Sequence, residues 1–211
     1  MPTLHEPMVV DAAVAARSHR PARGPRAVVA AWFIVVALVS ASLMARHLVA
    51  LPRPTHAREL AAALGAFRPV GAAGSLAIVH VLYAECRCSK LVAEHLASKP
   101  RPAGVVEHVV IVGQDEALGS SLASRGFAVQ FVSERQLAAW GIEAAPLFVV
   151  LSAAGEVRYA GGYTERKQAL FPRDREIVAA LRAGDEVTPL PVFGCAVSNE
   201  LKRTINPLRL P

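Results

Sequence analysis

The sequence predicts an α/β domain with a mixed sheet covered on both faces, carried behind a single membrane-spanning helix. Strand-like apolar runs alternate with helically periodic segments between residues 75 and 184. A charge-free run occupies 27–45, ahead of that domain. Two cysteines one residue apart, Cys86 and Cys88, stand where the first apolar strand hands over to a helix.

The 211 residues are enough for one ordinary domain of about 100–150 residues plus accessory segments. A net charge of +6 and a pI near 9.7 raise the question of a nucleic-acid partner. Arginine is scattered, however, and no basic stripe interleaves with aromatics, so nucleic acid is discounted and the charge beside the apolar run points to a membrane. Residues 1–26 mix Ala, Pro and Arg without periodicity and read as a flexible tail.

The run AVVAAWFIVVALVSASLMA at 27–45 is bracketed by Arg26 and Arg46 and suits a hydrocarbon layer about 30 Å thick. Trp32 near its start fits an interfacial position. The rival is a cleavable signal peptide, since Val39, Ser40 and Ala41 satisfy a small-residue cleavage rule, but the long preceding tail favours an uncleaved anchor. Arg17, Arg20, Arg23 and Arg26 precede the run while Arg46, Arg53 and Arg58 follow it, a small bias toward a cytoplasmic N-terminus. The expectation is a single-pass protein of the inner (cytoplasmic) membrane with its soluble domain on the periplasmic or extracytoplasmic side. Residues 46–74, with Pro52, Pro54 and Pro69 around a short amphipathic piece at 57–67, read as a stalk.

Residues 75–84 are almost uncharged and rich in Ile, Val and Leu, a strand buried on both faces, which Glu85 ends. Apolar positions then shift to helical spacing, with Cys88, Leu91, Val92, His95 and Leu96 along one face. A second strand follows at 105–112, where His108 reads as a core or edge residue. The alternation continues with a helix at 114–125, a strand at 128–132 and a helix at 134–140 capped by Ser133. The link 141–146 leads to a strand at 147–151, a turn at 153–156, a hairpin partner at 157–163 and a helix at 174–182. Residues 185–211 form a proline-containing tail with Pro189, Pro191 and Pro207, and it carries Cys195.

A helix N-terminus offers unpaired N–H groups and the positive end of its dipole, which stabilise a thiolate, and Arg87 and Lys90 add positive charge. Packing of the cysteines as small hydrophobes explains their spacing less well than redox chemistry does. Alternate Cα atoms lie about 5.5–7 Å apart, overlapping the disulfide range, so Cys86 and Cys88 are able to pair in a tight ring. Cys86, nearer the strand end, reads as the nucleophile, and Cys88 as the resolving thiol. For Cys195 two readings stand. Either the tail folds back so that it resolves a disulfide with Cys86 or Cys88, or it is a free, partly buried thiol. A metal reading also stands, with Cys86, Cys88 and His95 holding a soft ion such as Cu(I).

Tyr83-Ala84-Glu85 before the cysteines resembles the W-A-E ahead of the active site in thioredoxins, and Gly141-Ile142 to Pro146 resembles their G-I-x-x-x-P, followed by Gly155-Glu156-Val157. The spacing from Pro146 to Gly155 is more similar to the membrane-anchored thioredoxin-like proteins of bacterial envelopes. This resemblance covers about 75–184 and implies a thioredoxin-like three-layer α/β/α domain with a mixed central sheet. In that family the proline is cis, lies against the reactive cysteines, and follows a backbone edge that pairs with an extended substrate segment; the resemblance carries those roles to Pro146 and Ala145. Two departures stand out. The family motif is C-x-x-C where this chain has Cys86-Arg87-Cys88, and Val81 stands where the family holds a buried acid, leaving proton removal to Glu85 or water.

The function this implies is membrane-anchored thiol-disulfide exchange through Cys86, Cys88 and Pro146, without a cofactor. Its partners are protein thiols or disulfides of the cell envelope and a further redox partner. A copper-binding protein and a redox-inactive interaction module are the alternatives.

Overall fold

The computed structural model describes residues 23–69, 75–101, 104–167 and 171–205. The expected flexible tail up to residue 22, the end of the expected stalk at 70–74, and Pro207 lie outside the described residues. The chain divides into two units, Met1–Ala45 and Arg46–Pro211.

The first unit carries helix α1 (Arg23–Leu48), longer at both ends than the apolar run that predicts it. Its segment Pro25–Ser42 is long and apolar enough to cross a membrane, and none of it is buried in the protein. At 1.5 Å per residue, those 18 residues span about 27 Å. A signal sequence has the same properties.

The second unit begins with α2 (Ala57–Ala63) and a 3₁₀ turn (Gly65–Phe67), followed by β1 (Leu76–Tyr83), α3 (Arg87–Ser98) and β2 (Val105–Val112). Helix α4 (Glu116–Ser124), β3 (Ala128–Val132), α5 (Glu134–Ala139), the short β4 (Ala144–Ala145), β5 (Leu147–Ser152) and β6 (Val157–Gly161) continue it. Helix α6 (Asp174–Ala183), the short β7 (Cys195–Ala196) and α7 (Asn199–Ile205) close it. The main sheet runs β3-β2-β1-β5-β6. β1 is parallel to β2 and β2 to β3, while β5 is antiparallel to β1 and β6 to β5. This mixed sheet with helices on both faces is the thioredoxin-like three-layer architecture.

Local chemistry sets the element ends. Asp115 caps α4 by accepting from the Leu118 N–H, and Ser133 and Gln136 form a capping box at the start of α5. Every residue of β1 is buried, as its charge-free composition requires of a central strand.

Two apolar clusters lie on the two faces. One joins Ile78, Leu82, Ile111 and Phe148 of the sheet to Val92 and Leu96 of α3, Leu122 of α4, and Ile177 and Leu181 of α6. The other joins Val79, Val81, Val110 and Val149 to Leu60 of α2, Leu64 at its C-cap, Phe67, Leu137 of α5, and Val192, Ala196, Val197 and Leu201 from the C-terminal segment. The stretch expected as a stalk therefore contributes core: Leu60 and Leu64 are fully buried because the amphipathic stripe at 57–67 lies on the sheet. The expected tail is likewise part of the folded unit. Val192 bridges Leu51, and β7 pairs with β4.

Candidate active site

The site grows from the end of β1. The Cys86 N–H donates to the Tyr83 carbonyl (2.9 Å), turning the chain out of the strand, and the buried Ser89 hydroxyl accepts from the Tyr83 N–H (2.9 Å). Those two bonds fix the first turn of α3 against the strand end. Cys86 is then the N-cap, with extended backbone angles, and Cys88 lies inside the first turn.

The two thiols meet different surroundings. Cys86 is fully buried, with Sγ 3.8 Å from the Ala145 carbonyl oxygen, and is joined to Cys195 in a disulfide with Cα atoms 5.9 Å apart. Cys88 is a free, half-buried cysteine. It borders a groove of about 520 Å³ lined by Arg87, Leu91, His95, Pro146, Tyr163 and Phe193, among others. A Cys86–Cys88 ring is therefore not the pairing present. The N-cap and second helical positions send the side chains apart, and the tail cysteine takes the bond.

The Ala145–Pro146 peptide is cis. The tail lies along the backbone just before it: Ala145 pairs with Cys195 and Ala144 with Ala196, antiparallel, and the Val197 and Ser198 N–H groups donate to the Glu143 carbonyl (2.7 and 3.2 Å). Upstream, the Gly162 N–H donates to the Leu190 carbonyl (3.0 Å), while the Leu190 N–H donates to the Tyr159 hydroxyl (3.1 Å). Close approach of the two backbones rests on glycine. A Cβ on Gly194 would lie 2.0 Å from the Ala145 oxygen, and one on Gly162 would lie 1.9 Å from the Pro191 oxygen.

Beside the disulfide, the Tyr83 hydroxyl lies 2.9 Å from a Glu85 carboxylate oxygen and 3.1 Å from one of Glu134. Lys202 of α7 donates to Glu134 (2.6 Å), with its ammonium 5.3 Å over the Tyr83 ring. Burial, then the carboxylates of Glu85 and Glu134, hold the Tyr83 hydroxyl well above its ordinary titration range, so it remains a donor. Glu85, expected as a proton acceptor for a thiol, is thus engaged with Tyr83. Of the cations expected beside the thiols, Arg87 borders the Cys88 groove, whereas Lys90 lines a separate hollow with Asp115 and Leu118.

The proposed metal trio is not assembled. Cys86 is in the disulfide, and the His95 Nε2 is 2.9 Å from the Asp174 carboxylate. Among the described residues, no group of three or more His, Cys, Asp and Glu side chains is placed to hold a metal ion.

Sequence reading missed the short helix α7, and it missed β7 and the Tyr83–Glu134–Lys202 contacts, which join residues far apart in the chain. It also missed a buried polar group on the other face of the sheet. There His80 Nδ1 is 2.8 Å from the Tyr163 hydroxyl, its Nε2 faces a Glu107 carboxylate oxygen at 3.9 Å, beyond hydrogen-bond distance, and Glu107 also accepts from Arg101 (2.7 Å). His80 lies within the apolar run itself, and an imidazole in a strand buried on both faces is the one signal that pointed there.

No family model matches the chain, and no curated protein matches it. Solved structures do. A hypothetical protein from Sinorhizobium meliloti 1021 is similar at 19% identity over 59% of this chain and 79% of that one, with a TM-score of 0.47. An uncharacterized conserved protein from Geobacillus kaustophilus is similar at 16% identity over 60% and 78%, with a TM-score of 0.46. A secreted disulfide oxidoreductase of Mycobacterium tuberculosis, homologous to E. coli DsbE, is similar at 13% identity over 57% and 85%, with a TM-score of 0.36.

Proposed function

We propose that this protein is a membrane-anchored thiol-disulfide oxidoreductase acting on thiols and disulfides of cell-envelope proteins, with Cys86 as the exchanging sulfur. One observation carries the reading: Cys86 caps a helix N-terminus, against the Ala145–Pro146 edge, and is already in a disulfide with a cysteine that pairs with that edge. A partner thiolate attacks Cys86 Sγ, the Cys86–Cys195 bond breaks, and Cys195 leaves as a thiolate that takes up a proton. A second thiol of the partner then displaces Cys86 from the mixed disulfide. The partner has lost two electrons and two protons, and the protein has gained them. Run backwards, the same steps reduce a partner disulfide. In that direction Cys195, rather than Cys88, takes the resolving role, attacking the partner-bound Cys86 sulfur and re-forming the tail bond as the partner thiolate leaves.

The apolar helix α1 supports the anchor, and a disulfide supports the oxidising side of a membrane for residues after Arg46. The test is exchange between the full chain in detergent, reduced to its dithiol and freed of reductant, and a disulfide-bonded model peptide, followed by alkylation and mass. Cys86→Ser is expected to abolish exchange, and Cys195→Ser to leave a mixed disulfide that accumulates. Parent-like turnover by Cys86→Ser overturns the assignment. Alkaline phosphatase fused after Gly184 is expected to be active; an inactive fusion alongside an active cytoplasmic reporter overturns the topology.

A further inference from the structure

We infer that Pro191–Ser198 is an internal copy of the partner segment, and that this site selects partners carrying a glycine immediately before the exchanging cysteine and a small residue after it. The inference rests on the exchange role proposed for Cys86. It goes further in naming what enters the site and what must first leave it.

The tail occupies the edge completely. Cys195 stands opposite Ala145, its sulfur bonded to Cys86, and the backbone on its C-terminal side continues as a strand partner through Ala196 to Val197. Each position has its own demand. At Gly194 a Cβ would meet the Ala145 oxygen at 2.0 Å and the Pro146 Cδ at 2.6 Å; both belong to fixed backbone or ring, so no side chain fits without opening the pairing. Ala196 is buried against Ala144, and Val197 is fully buried in the apolar cluster, so small and then apolar residues suit those places. Phe193, two residues before the cysteine, lines the groove beside Cys88, where an aromatic ring has apolar neighbours in Leu91, Val92 and Pro146.

A partner cysteine reaches the Ala145 edge only by displacing this segment. Its backbone must make the same antiparallel pairing, because those main-chain groups would otherwise lose their partners. The oxidised tail therefore closes the edge, and breaking the Cys86–Cys195 bond frees it. The exchange conserves disulfides: one bond forms to the partner sulfur as the tail bond breaks, with no outside oxidant.

The test has an internal and an external arm on the full chain in detergent. In redox buffers of oxidised and reduced dithiothreitol, the fraction carrying the Cys86–Cys195 bond is read by alkylation and mass for the parent and for Gly194→Ala. The substitution is expected to shift the balance toward the dithiol on the order of tenfold, the ratio that about 1.4 kcal/mol represents. Far-UV circular dichroism checks that the variant remains folded. In the external arm, the Gly194→Ala, Cys195→Ser double variant, whose tail is loosened and cannot bond, meets an activated disulfide of the peptide PVFGCAVS or of the same peptide with alanine in place of its glycine. Mixed disulfide on Cys86 is expected to form at least tenfold faster with the glycine peptide. Equal rates for the two peptides, an unshifted balance in Gly194→Ala, or capture on Cys88 instead of Cys86 overturns the inference. In each of those cases the parent still exchanges with model disulfides if the proposed function holds.

Discussion

On one face of the sheet, α3, α4 and α6 cover a cluster drawn from Leu76 to Leu181, one continuous stretch of chain. On the other, the cluster runs from Leu60 to Leu201, and its cover includes α2, the Ala144–Pro146 edge and the C-terminal segment. The disulfide and the close approach at Gly194 lie with the stitched face, while the free thiol's groove runs along the rim between the two, lined in part by Val92 and Tyr163 of the continuous face. The difference is physical. A face built from neighbouring elements is closed without a covalent tie, whereas a face closed by the ends of the domain depends on contacts that a redox event can open.

Reduction should separate the faces most strongly. The Cys86–Cys195 bond spans 109 residues, and closing a loop of that length is worth about 5 kcal/mol of unfolding free energy, so reductant should lower stability by roughly that amount in urea titrations. A reduced protein as stable as the oxidised one would mean that the tail holds without its covalent tie.

Leu64→Ala comes next. Leu64 is fully buried, and its truncation is expected to cost about 3 kcal/mol by the same titration. A loss below about 0.5 kcal/mol, the range of surface substitutions, would return residues 57–67 to the stalk that sequence suggests.

Ser133→Ala removes the capping box of α5, which packs Leu137 on the stitched face, and should cost about 1 kcal/mol. An unchanged denaturation midpoint would show that tertiary contacts alone fix that helix start.

The continuous face has a shallower, pH-dependent signature. Burial by itself would raise the Glu107 carboxyl, but His80 and Arg101 together draw it below its ordinary 4.5. With the folded value depressed, the contribution to stability is complete above pH 4.5 and is lost as pH falls through the folded value. His108, which packs on Phe67 of the stitched face and is held below 6.5 by burial and then by Arg101, adds from that side a loss that begins at higher pH and runs in the same direction. Thermal midpoints against pH should therefore fall on acidification, and Glu107→Gln should flatten the part below pH 4.5 while leaving the earlier decline. A variant whose profile overlays the parent's would remove Glu107 from the account.

Sequence reading reached most of the continuous face because its signals are local. The apolar run of β1, the shift to helical spacing after Cys86 and the hairpin around Gly155 each declare themselves within about a dozen residues. Pro146 and Ala145 were legible through resemblance, and the Ala145 carbonyl oxygen lies 3.8 Å from the Cys86 sulfur. The stitched face was less legible. Pro189 and Pro191 suggested an extended segment, but nothing within the tail states that Val192, Ala196 and Val197 are core, or that Cys195 lies opposite Ala145. A two-residue strand such as β7 is too short for periodicity to mark. The pairing of Cys86 depended on the same long-range closure, which the C-x-C spacing could not reveal.

The central claim is that Cys86 and Cys195 form the exchanging disulfide while Cys88 is the free thiol. Full-length protein, alkylated without reduction, digested and weighed, tests it directly. The account predicts a cross-linked pair of peptides containing Cys86 and Cys195, with the alkyl group on Cys88, and loss of that pair on mixing with a reduced dithiol peptide whose own disulfide appears in equal amount. A looped peptide holding Cys86–Cys88 with Cys195 alkylated, or a Cys86–Cys195 pair that persists while the dithiol peptide stays reduced, would contradict it.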